Sequence, residues 1–278
     1  MSKYQYSFED GGTYEQFQTN PNFPVTYHFA ETLKNNITPA HWHEHIELLC
    51  VTQGELRIYV KGKVIEAFKG DLVVINPGET HAIPGRSRDS LYECLIPHKN
   101  LYSKMGIPLE RYIIENHIQN DTYTQKWNQI MRKLYDKPQF YEVSVQLVLL
   151  ELLLELLQNH SRSAEPSKRV SESSGECMVK QAIKYMQENY VRPISTEDIC
   201  QYLGFNKSYI CNNFKQITGT TMISYLNMIR CEHARELLLL GKQSVSECAS
   251  LSGFQHYSYF TKTYKRYMGE LPSITQSK

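Results

Sequence analysis

The fold is decided by STEDICQYLGFNKSYICNNFKQITG, residues 195–219, together with SVSECASLSGFQHYSYFTKTYKRYMG, residues 244–269. The two stretches follow one pattern, and the second has one residue inserted after its Gly-Phe pair. Each opens with a serine followed three residues later by an acidic residue, which predicts a helix that begins with a capping box. A glycine then allows a sharp turn, and a second helical run ends at another glycine. The pattern predicts two helix-turn-helix units.

The segment between the copies, residues 221–240, has an uninterrupted helical pattern. A helix of that length extends about 30 Å, and successive major-groove faces on one side of B-DNA lie about 34 Å apart. Such a rod can present two recognition helices to adjacent turns of one groove. The alternative is a plain helical bundle. The shared caps, turns and aromatic-Lys spacing of the two copies favour DNA binding over it.

Residues from about 178 to 274 resemble the DNA-binding domain of the AraC/XylS family of bacterial transcription regulators. The most specific stretch is residues 253–273, which resembles the family signature across the second unit. Arg230 and Ala234 match the pattern of the family's linker helix, and the departures fall at packing or tail positions. The resemblance implies double-stranded promoter DNA as a partner, activation rather than repression, and RNA polymerase as a further partner.

The second helix of each unit has an aromatic side and a polar side. The aromatic side is expected to face the core and carries Tyr209, Phe214, Tyr259, Phe260 and Tyr264. The polar side is expected to contact DNA and carries Ser208, Cys211, Asn212, Lys215, Tyr257, Ser258, Thr261, Lys262 and Lys265. By donor and acceptor pattern, Asn212 suits adenine and Lys262 suits guanine, whereas Lys215 and Lys265 are suited to phosphates.

Composition indicates a folded chain with two differently charged parts. Of the 278 residues, 41% are hydrophobic, which excludes wholesale disorder. Residues 178–278 contain 12 Lys and Arg against 7 Asp and Glu, and the rest of the chain is net acidic. This modest imbalance agrees with a polyanion partner for the C-terminal part. Seven cysteines without a CxxC pair, no signal segment and no membrane-spanning run favour a cytoplasmic protein with no membrane partner.

The N-terminal part begins with short strand patterns and ends in helices. Glycine and proline punctuate the strand patterns between residues 24 and 97, which is typical of an antiparallel sandwich or barrel. The predicted strands are residues 46–52, 56–60, 64–68, 71–76 and 91–96. Helices are predicted over residues 125–135 and 141–158. The second helix is apolar over much of its girth, so it either covers the barrel alone or also forms a homodimer interface that includes Leu153 and Leu156.

Two histidine-rich segments lie among the predicted strands. Residues 41, 43, 45 and 47 share parity, so on one regular strand their side chains point the same way. The pattern His-x-His-x3-Glu-x6-Gly, followed by Pro-Gly-x2-His at residues 77–81, resembles the two sequence signatures of the cupin fold. The resemblance implies metal-ligand positions at His41, His43, Glu47 and His81.

Two interpretations of this histidine set stay open. Three imidazoles and a carboxylate suit a divalent transition metal as cofactor. The same side chains can instead bind a small polar effector without a metal, with Trp42 and Tyr59 as wall residues. A sugar is the effector class that the resemblance implies.

The sequence therefore predicts an α+β protein of two domains. Residues 1–158 are expected to form a cupin-like effector-binding and dimerisation domain, an antiparallel β-barrel with C-terminal helices. Residues 159–177 are expected to be a serine-rich linker, and residues 178–278 an all-α double helix-turn-helix domain. The predicted function is an effector-responsive transcription regulator. The alternative is a cupin metalloenzyme with a helical appendage, but an enzyme does not need a duplicated, capped helix-turn-helix, so we expect no catalytic residues.

Overall fold

The computed structural model describes residues 20, 22–30, 38–83, 90–119, 121–164 and 174–277. These residues fall into two compact units, one within residues 16–171 and one within residues 172–278. No helix among them is both long enough and apolar enough to cross a membrane.

The N-terminal unit contains two larger antiparallel sheets and a third sheet of two strands. Its strands are β1 (Val25–His28), β2 (Thr38–His41), β3 (Glu47–Gln53), β4 (Glu55–Val60), β5 (Lys63–Phe68), β6 (Leu72–Ile75), β7 (His81–Ile83), β8 (Leu91–Pro97), β9 (Tyr112–Ile114), β10 (His117–Ile118) and β11 (Ser161–Ser163). One sheet has the order β1-β8-β3-β6-β10, the other has the order β2-β7-β4-β5, and β11 pairs with β9. No pairing between described strands joins the two larger sheets, so the predicted antiparallel β architecture is confirmed but the barrel is not closed.

The β4–β5 hairpin shows how the sequence sets the sheet. Val60 pairs with Lys63 across the two-residue turn Lys61-Gly62, and both turn residues have positive φ. Such turns match the twist of the flanking strands. Along β4, Leu56, Ile58 and Val60 are buried and alternate with more exposed residues, so one face of this sheet belongs to the core.

The helices of this unit are α1 (Lys99–Lys104), α2 (Asp121–Asp136) and α3 (Tyr141–His160), with a 3-10 turn at Leu109–Arg111. The two predicted helices are confirmed, with α2 starting four residues earlier than expected. Trp127, Ile130 and Leu134 of α2 pack with five buried residues of α3 in the core cluster that also contains β3 and β6 side chains. The five residues of α3 are Val145, Leu149, Leu152, Leu153 and Leu156.

The dimer interface expected at Leu153 and Leu156 is wrong for those two residues. Both have 0% exposed surface within a single chain, because α3 turns this stripe toward the sheet and α2. The apolar residues that α3 leaves exposed are Val143, Leu147 and Leu154.

The C-terminal unit is all-α over the residues described, as predicted. Its helices are α4 (Ser174–Asn189), α5 (Thr196–Leu203), α6 (Lys207–Thr218), α7 (Met222–Leu240), α8 (Val245–Leu251), α9 (Tyr257–Met268) and α10 (Pro272–Gln276). Helices α5 and α6 form the first helix-turn-helix, α8 and α9 form the second, and α7 connects them. Its 19 residues correspond to a length of about 28 Å.

The predicted linker, residues 159–177, overlaps ordered elements at both ends. Residues 161–163 form β11, which pairs with β9, and α4 begins at residue 174. Residues 165–173 lie outside the described residues. The bounds of the two domains and the linker stay predictions.

Candidate functional site

Both helix-turn-helix units begin with the predicted capping boxes. The Ser195 hydroxyl accepts a hydrogen bond from the backbone N–H of Asp198, whose carboxylate accepts one from the Ser195 N–H. Ser244 and Glu247 make the same reciprocal pair in the second unit. Each box satisfies two backbone donors that a helix start leaves unpaired, and this fixes where α5 and α8 begin.

The recognition helices turn their apolar residues inward, but two tyrosines differ from expectation. The buried residues are Ile210, Phe214 and Ile217, with Thr218, in α6 and Phe260, Thr263 and Tyr264 in α9. Tyr209 and Tyr259, which were predicted to face the core, are 41% and 49% exposed. Tyr209 and Tyr259 each come one residue before a fully buried residue, Ile210 and Phe260 respectively. One residue along a helix turns the side-chain direction by about 100°, so the two tyrosines point away from the core.

The predicted DNA-contacting residues lie on the accessible side of each recognition helix. Cys211 and Thr261 are half-buried, and the Thr261 hydroxyl donates to the Tyr257 carbonyl oxygen. The other seven are exposed: Ser208, Asn212, Lys215, Tyr257, Ser258, Lys262 and Lys265. The arrangement leaves two polar faces available to a nucleic acid.

The first recognition helix has a further cap that the sequence reasoning missed. The Asn206 side chain accepts a hydrogen bond from the Tyr209 N–H, whereas the matching His256 makes no capping hydrogen bond in the described structure. An asparagine just before a helical run is a recognisable start signal. Lys207, the first residue of α6, forms an ion pair with Glu197 of α5.

The histidine set converges between the two sheets of the N-terminal unit. His41 ends β2 and is paired with His81 of β7, Glu47 begins β3 in the other sheet, and His43 lies on the connection. All four are buried, and one donor atom from each lies within 4.8 Å of the others. The single regular strand assumed from the parity of residues 41–47 is wrong, because β2 ends before β3 begins.

Backbone carbonyls fix the orientation of the three imidazoles. Nδ1 of His41 lies 2.8 Å from the Pro39 carbonyl oxygen, and Nδ1 of His43 and of His81 each lie 2.9 Å from the carbonyl oxygens of residues 45 and 79. A carbonyl oxygen only accepts, so each Nδ1 carries the hydrogen and donates. In the neutral form of such a ring, Nε2 is then the nitrogen that can accept a hydrogen bond or bind a metal ion.

The Glu47 carboxylate interacts with two of the three imidazoles. Nε2 of His43 and Nε2 of His81 each lie 3.0 Å from Oε2 of Glu47. Burial lowers the pKa of His81 and its neighbour His41 lowers it further, whereas Glu47 raises it, and the net shift is downward. Burial alone raises the pKa of the Glu47 carboxyl, but its interactions with His81 and His43 outweigh burial and hold that pKa well below its usual range. A proton shared with an imidazole, or a metal ion held by the cluster, would satisfy the carboxylate and the Nε2 atoms beside it.

The predicted wall residues Trp42 and Tyr59 differ in placement, and one residue outside the prediction contacts the cluster. Trp42 is half-buried next to the cluster in sequence. Tyr59 is paired with Ala82, one position away from the pair Val60 and His81, so its side chain lies on the opposite face of the sheet from His81. The Cys94 thiol, which no sequence motif singles out, donates to Oε1 of Glu47 at 3.2 Å.

His45 does not join the cluster. Its Nδ1 accepts a hydrogen bond from the Lys99 N–H, and its ring stacks on His98 with centroids 4.9 Å apart. Burial, with repulsion from nearby histidines and Lys99, lowers the pKa of His45 to about 3. This ring is neutral and occupied by its own contacts, which makes it a suitable control position.

Comparisons with known proteins match both parts of the chain. Residues 199–278 match the family described as Helix-turn-helix domain, and residues 30–91 match the family described as Cupin domain. The chain is 25% identical over 264 residues to an uncharacterized HTH-type transcriptional regulator, YdeC, of Bacillus subtilis, covering 88% of this chain and 89% of the relative. It is 35% identical over 92 residues to the raffinose operon transcriptional regulatory protein RafR of Pediococcus pentosaceus, which is 33% of either chain.

The comparisons also matched solved structures. One is ToxT from Vibrio cholerae with a bound unsaturated fatty acid, at 17% identity and a TM-score of 0.42, covering 94% of this chain and 97% of that chain. Another is the C-terminal domain of AraT from Geobacillus stearothermophilus, at 28% identity and a TM-score of 0.36, covering 38% of this chain and 88% of that chain.

Proposed function

We propose that this chain, a transcription regulator with an AraC-type helix-turn-helix domain and a cupin domain, activates transcription in response to a small polar effector. The promoter is bound by the double helix-turn-helix, and the effector by the cupin domain. The observation that carries the proposal is the pair of capped helix-turn-helix units with accessible polar faces. Effector binding then needs only to favour one state of the chain by about 1–3 kcal/mol.

Direct reading of bases is assigned to both recognition helices. Asn212 and Lys262 are exposed at matching positions of α6 and α9, and their side chains suit adenine and guanine respectively. Lys215 and Lys265, one turn further along each helix, are assigned to phosphates. The two helices together are expected to read two short segments separated by about one turn of B-DNA.

Lys262→Ala is expected to weaken binding to the selected site about 5- to 150-fold, because a base contact by a charged side chain contributes about 1–3 kcal/mol. The site is a duplex selected from a randomised library by the full-length wild-type chain, and affinity is measured by gel shift at fixed salt. The matched control is Lys242→Ala, which removes the same charge from an exposed position in the turn after α7. Equal affinities for the two variants would refute the role of Lys262.

The effector site is assigned to the histidine cluster and the half-buried Trp42. A buried group of imidazoles and a carboxylate offers hydrogen-bond partners to hydroxyl groups of a small polar ligand. A sugar is the first class to test, and raffinose belongs in the panel because RafR is named for the raffinose operon. Calorimetric titration of the full-length chain with sugars and metabolites is the test, and heat of binding that disappears in Glu47→Gln supports the assignment.

A divalent transition metal is the cation proposed for this cluster, because the residues fit one. Three imidazole rings and one carboxylate each bring a donor atom within 4.8 Å of the others. Each ring is oriented by a carbonyl oxygen at its Nδ1, as is usual for metal-binding histidines. His41, His43, Glu47 and His81 would hold the ion. When bound, it supplies a Lewis acid for an oxygen atom of the effector.

His81→Ala is expected to lower the metal content of the purified full-length chain from about one ion per chain to near zero. Removing an outer hydrogen-bond partner typically lowers metal affinity by roughly 10- to 100-fold. Removing one of four direct ligands is expected to lower metal affinity by more than that. Elemental analysis by mass spectrometry after dialysis is the measurement. His45→Gln, on the same segment but outside the cluster, is expected to keep its metal. A wild-type chain that binds no divalent transition metal would leave a shared proton as the cation.

Homodimer formation is assigned to the outward face of α3. Val143, Leu147, Leu150 and Leu154 recur at intervals of four, three and four residues, which is the spacing of a coiled-coil seam. Three of them are exposed in the single chain and Leu150 is half-buried. Such a stripe has the apolar character and the spacing to pack against the same stripe of a second copy, which would place two double helix-turn-helix units on one promoter.

A further inference from the structure

One face of α7 carries polar residues that contact the second helix-turn-helix and the end of α4. Asn227, Arg230 and His233 are spaced three residues apart, so they follow one side of the helix. The Asn227 amide donates to the Tyr259 hydroxyl at 2.8 Å, and the His233 ring lies 3.3 Å from the Ser252 hydroxyl. This face of α7 is a polar seam inside the C-terminal unit.

Arg230 is the centre of the seam. Its Nε donates to the carbonyl oxygen of Tyr190 and its Nη2 to that of Arg192, both at 2.8 Å. Its guanidinium carbon lies 6.0 Å from the ring centre of Phe254. One side chain therefore contacts the segment that follows α4 and the turn of the second helix-turn-helix at the same time.

The segment that follows α4 belongs with the first helix-turn-helix, because α4 packs against both α5 and α6. Its last residues nevertheless lie against the second unit. The Tyr190 ring packs edge-on to His233 at 5.0 Å, and a Cβ on Gly253 would lie 2.3 Å from the Tyr190 carbonyl oxygen. The two helix-turn-helices are thus joined by α7 and also by this second, independent contact.

We propose that Arg230 is a positioning residue that holds the two recognition helices in one relative orientation, so that the chain reads two DNA segments at one spacing. A single connecting helix can twist and bend at its ends. A planar guanidinium that donates to two carbonyls and lies over an aromatic ring restricts such motion, because its donors have a fixed geometry. Arg230 is thereby assigned to spacing selectivity rather than to a DNA contact.

This inference rests on the proposed DNA binding, and a spacing series separates the two. The full-length chain first selects a duplex from a randomised library, and footprinting identifies the two protected segments. Duplexes are then made with the segments moved together or apart by one to four base pairs, and one with a single segment scrambled. Affinities are measured at fixed salt for the wild type, Arg230→Met and Arg230→Lys.

The wild type is expected to have a sharp affinity maximum at the selected spacing. Arg230→Met removes both donors but keeps an unbranched side chain beside Phe254. It is expected to lose about 10-fold in affinity at that spacing, within the range of ordinary coupling between sites. It should also show a flat spacing profile and less than about a twofold change on the single-segment duplex. Arg230→Lys retains the positive charge but replaces the planar guanidinium with a single ammonium group. Its affinity and its spacing profile are expected to lie between those of the wild type and Arg230→Met.

The outcomes are distinct. A wild type that selects no duplex contradicts the proposed DNA binding. A wild type with a sharp maximum, together with an Arg230→Met profile of the same shape, overturns the role of Arg230. If Arg230→Met unfolds, the profile of Arg230→Lys decides the question, and a wild-type shape in that variant likewise overturns the proposal. A uniform loss on all duplexes, including the single-segment one, would also overturn it, since a positioning residue acts only when both segments are bound.

Discussion

Gly253→Ala is expected to destabilise the C-terminal unit strongly, whereas Gly204→Ala at the matching turn of the first helix-turn-helix is expected to cost little. Both glycines have positive φ, +85° and +70°, so each substitution carries the strain of a left-handed alanine, about 1 kcal/mol. Only at Gly253 does the added Cβ meet other atoms. It would lie 2.3 Å from the Tyr190 carbonyl oxygen and 3.0 Å from Arg230 Nε, whereas no described atom lies within 4 Å at Gly204.

The extra overlap at Gly253 must be relieved by moving backbone, and overpacking of this kind costs about 1–3 kcal/mol. The total of roughly 2–4 kcal/mol corresponds to a fall in Tm of about 10 °C or more for a unit of this size. Thermal unfolding followed by calorimetry of the full-length chain is the measurement. Similar Tm values for the two variants would mean that the end of α4 does not lie against the second turn.

The contrast between these two glycines marks the limit of what the sequence predicts. Both copies have a Gly-Phe pair, and local rules recognise the turn, the caps and the helix ends in each. Yet Phe205 is 45% exposed and Phe254 is 5% exposed. Phe254 packs in a core cluster with Cys231, Ala234 and Leu238 of α7, and the local pattern of a turn does not specify such neighbours. The predicted orientation of Tyr209 and Tyr259 was wrong because each lies one residue before a buried position, and a shift of one residue turns a helical side chain away from the core.

The histidine cluster shows the same division. The spacing of His41, His43, Glu47 and His81 identified a set that the fold brings together. The sequence analysis placed residues 41–47 on one regular strand, whereas in the structure the four residues come from two sheets and the connection between them. Neither the carbonyl oxygens that orient the rings nor the thiol of Cys94 has a sequence signal, since both depend on which strands become neighbours. The alternation along β4 was readable, but whether Tyr59 faced inward or outward depended on the partner sheet.

Leu147→Glu combined with Leu154→Glu is expected to convert a homodimer into a folded monomer. Both leucines are exposed in the single chain, at 64% and 47%, so glutamate at these positions is solvated and the chain keeps its core. In the proposed dimer, the same glutamates would be buried against their copies, and unpaired buried charges oppose association strongly. Sedimentation velocity of the full-length chain, at a concentration where the wild type is dimeric, is the measurement.

The matched control is Leu153→Glu with Leu156→Glu, which places the same charges on the buried side of α3. These leucines are 0% exposed, so this variant is expected to lose the cooperative unfolding of the N-terminal unit rather than its dimeric state alone.

The monomeric variant, Leu147→Glu with Leu154→Glu, is also expected to bind promoter DNA about 100-fold more weakly, because linked binding units gain roughly 10²–10⁴ in avidity. A dimer that survives Leu147→Glu with Leu154→Glu would place the interface on another surface. In that case the heptad spacing of α3 would describe only the cover of a sheet, and the two copies of the chain would meet through residues that this helix does not supply.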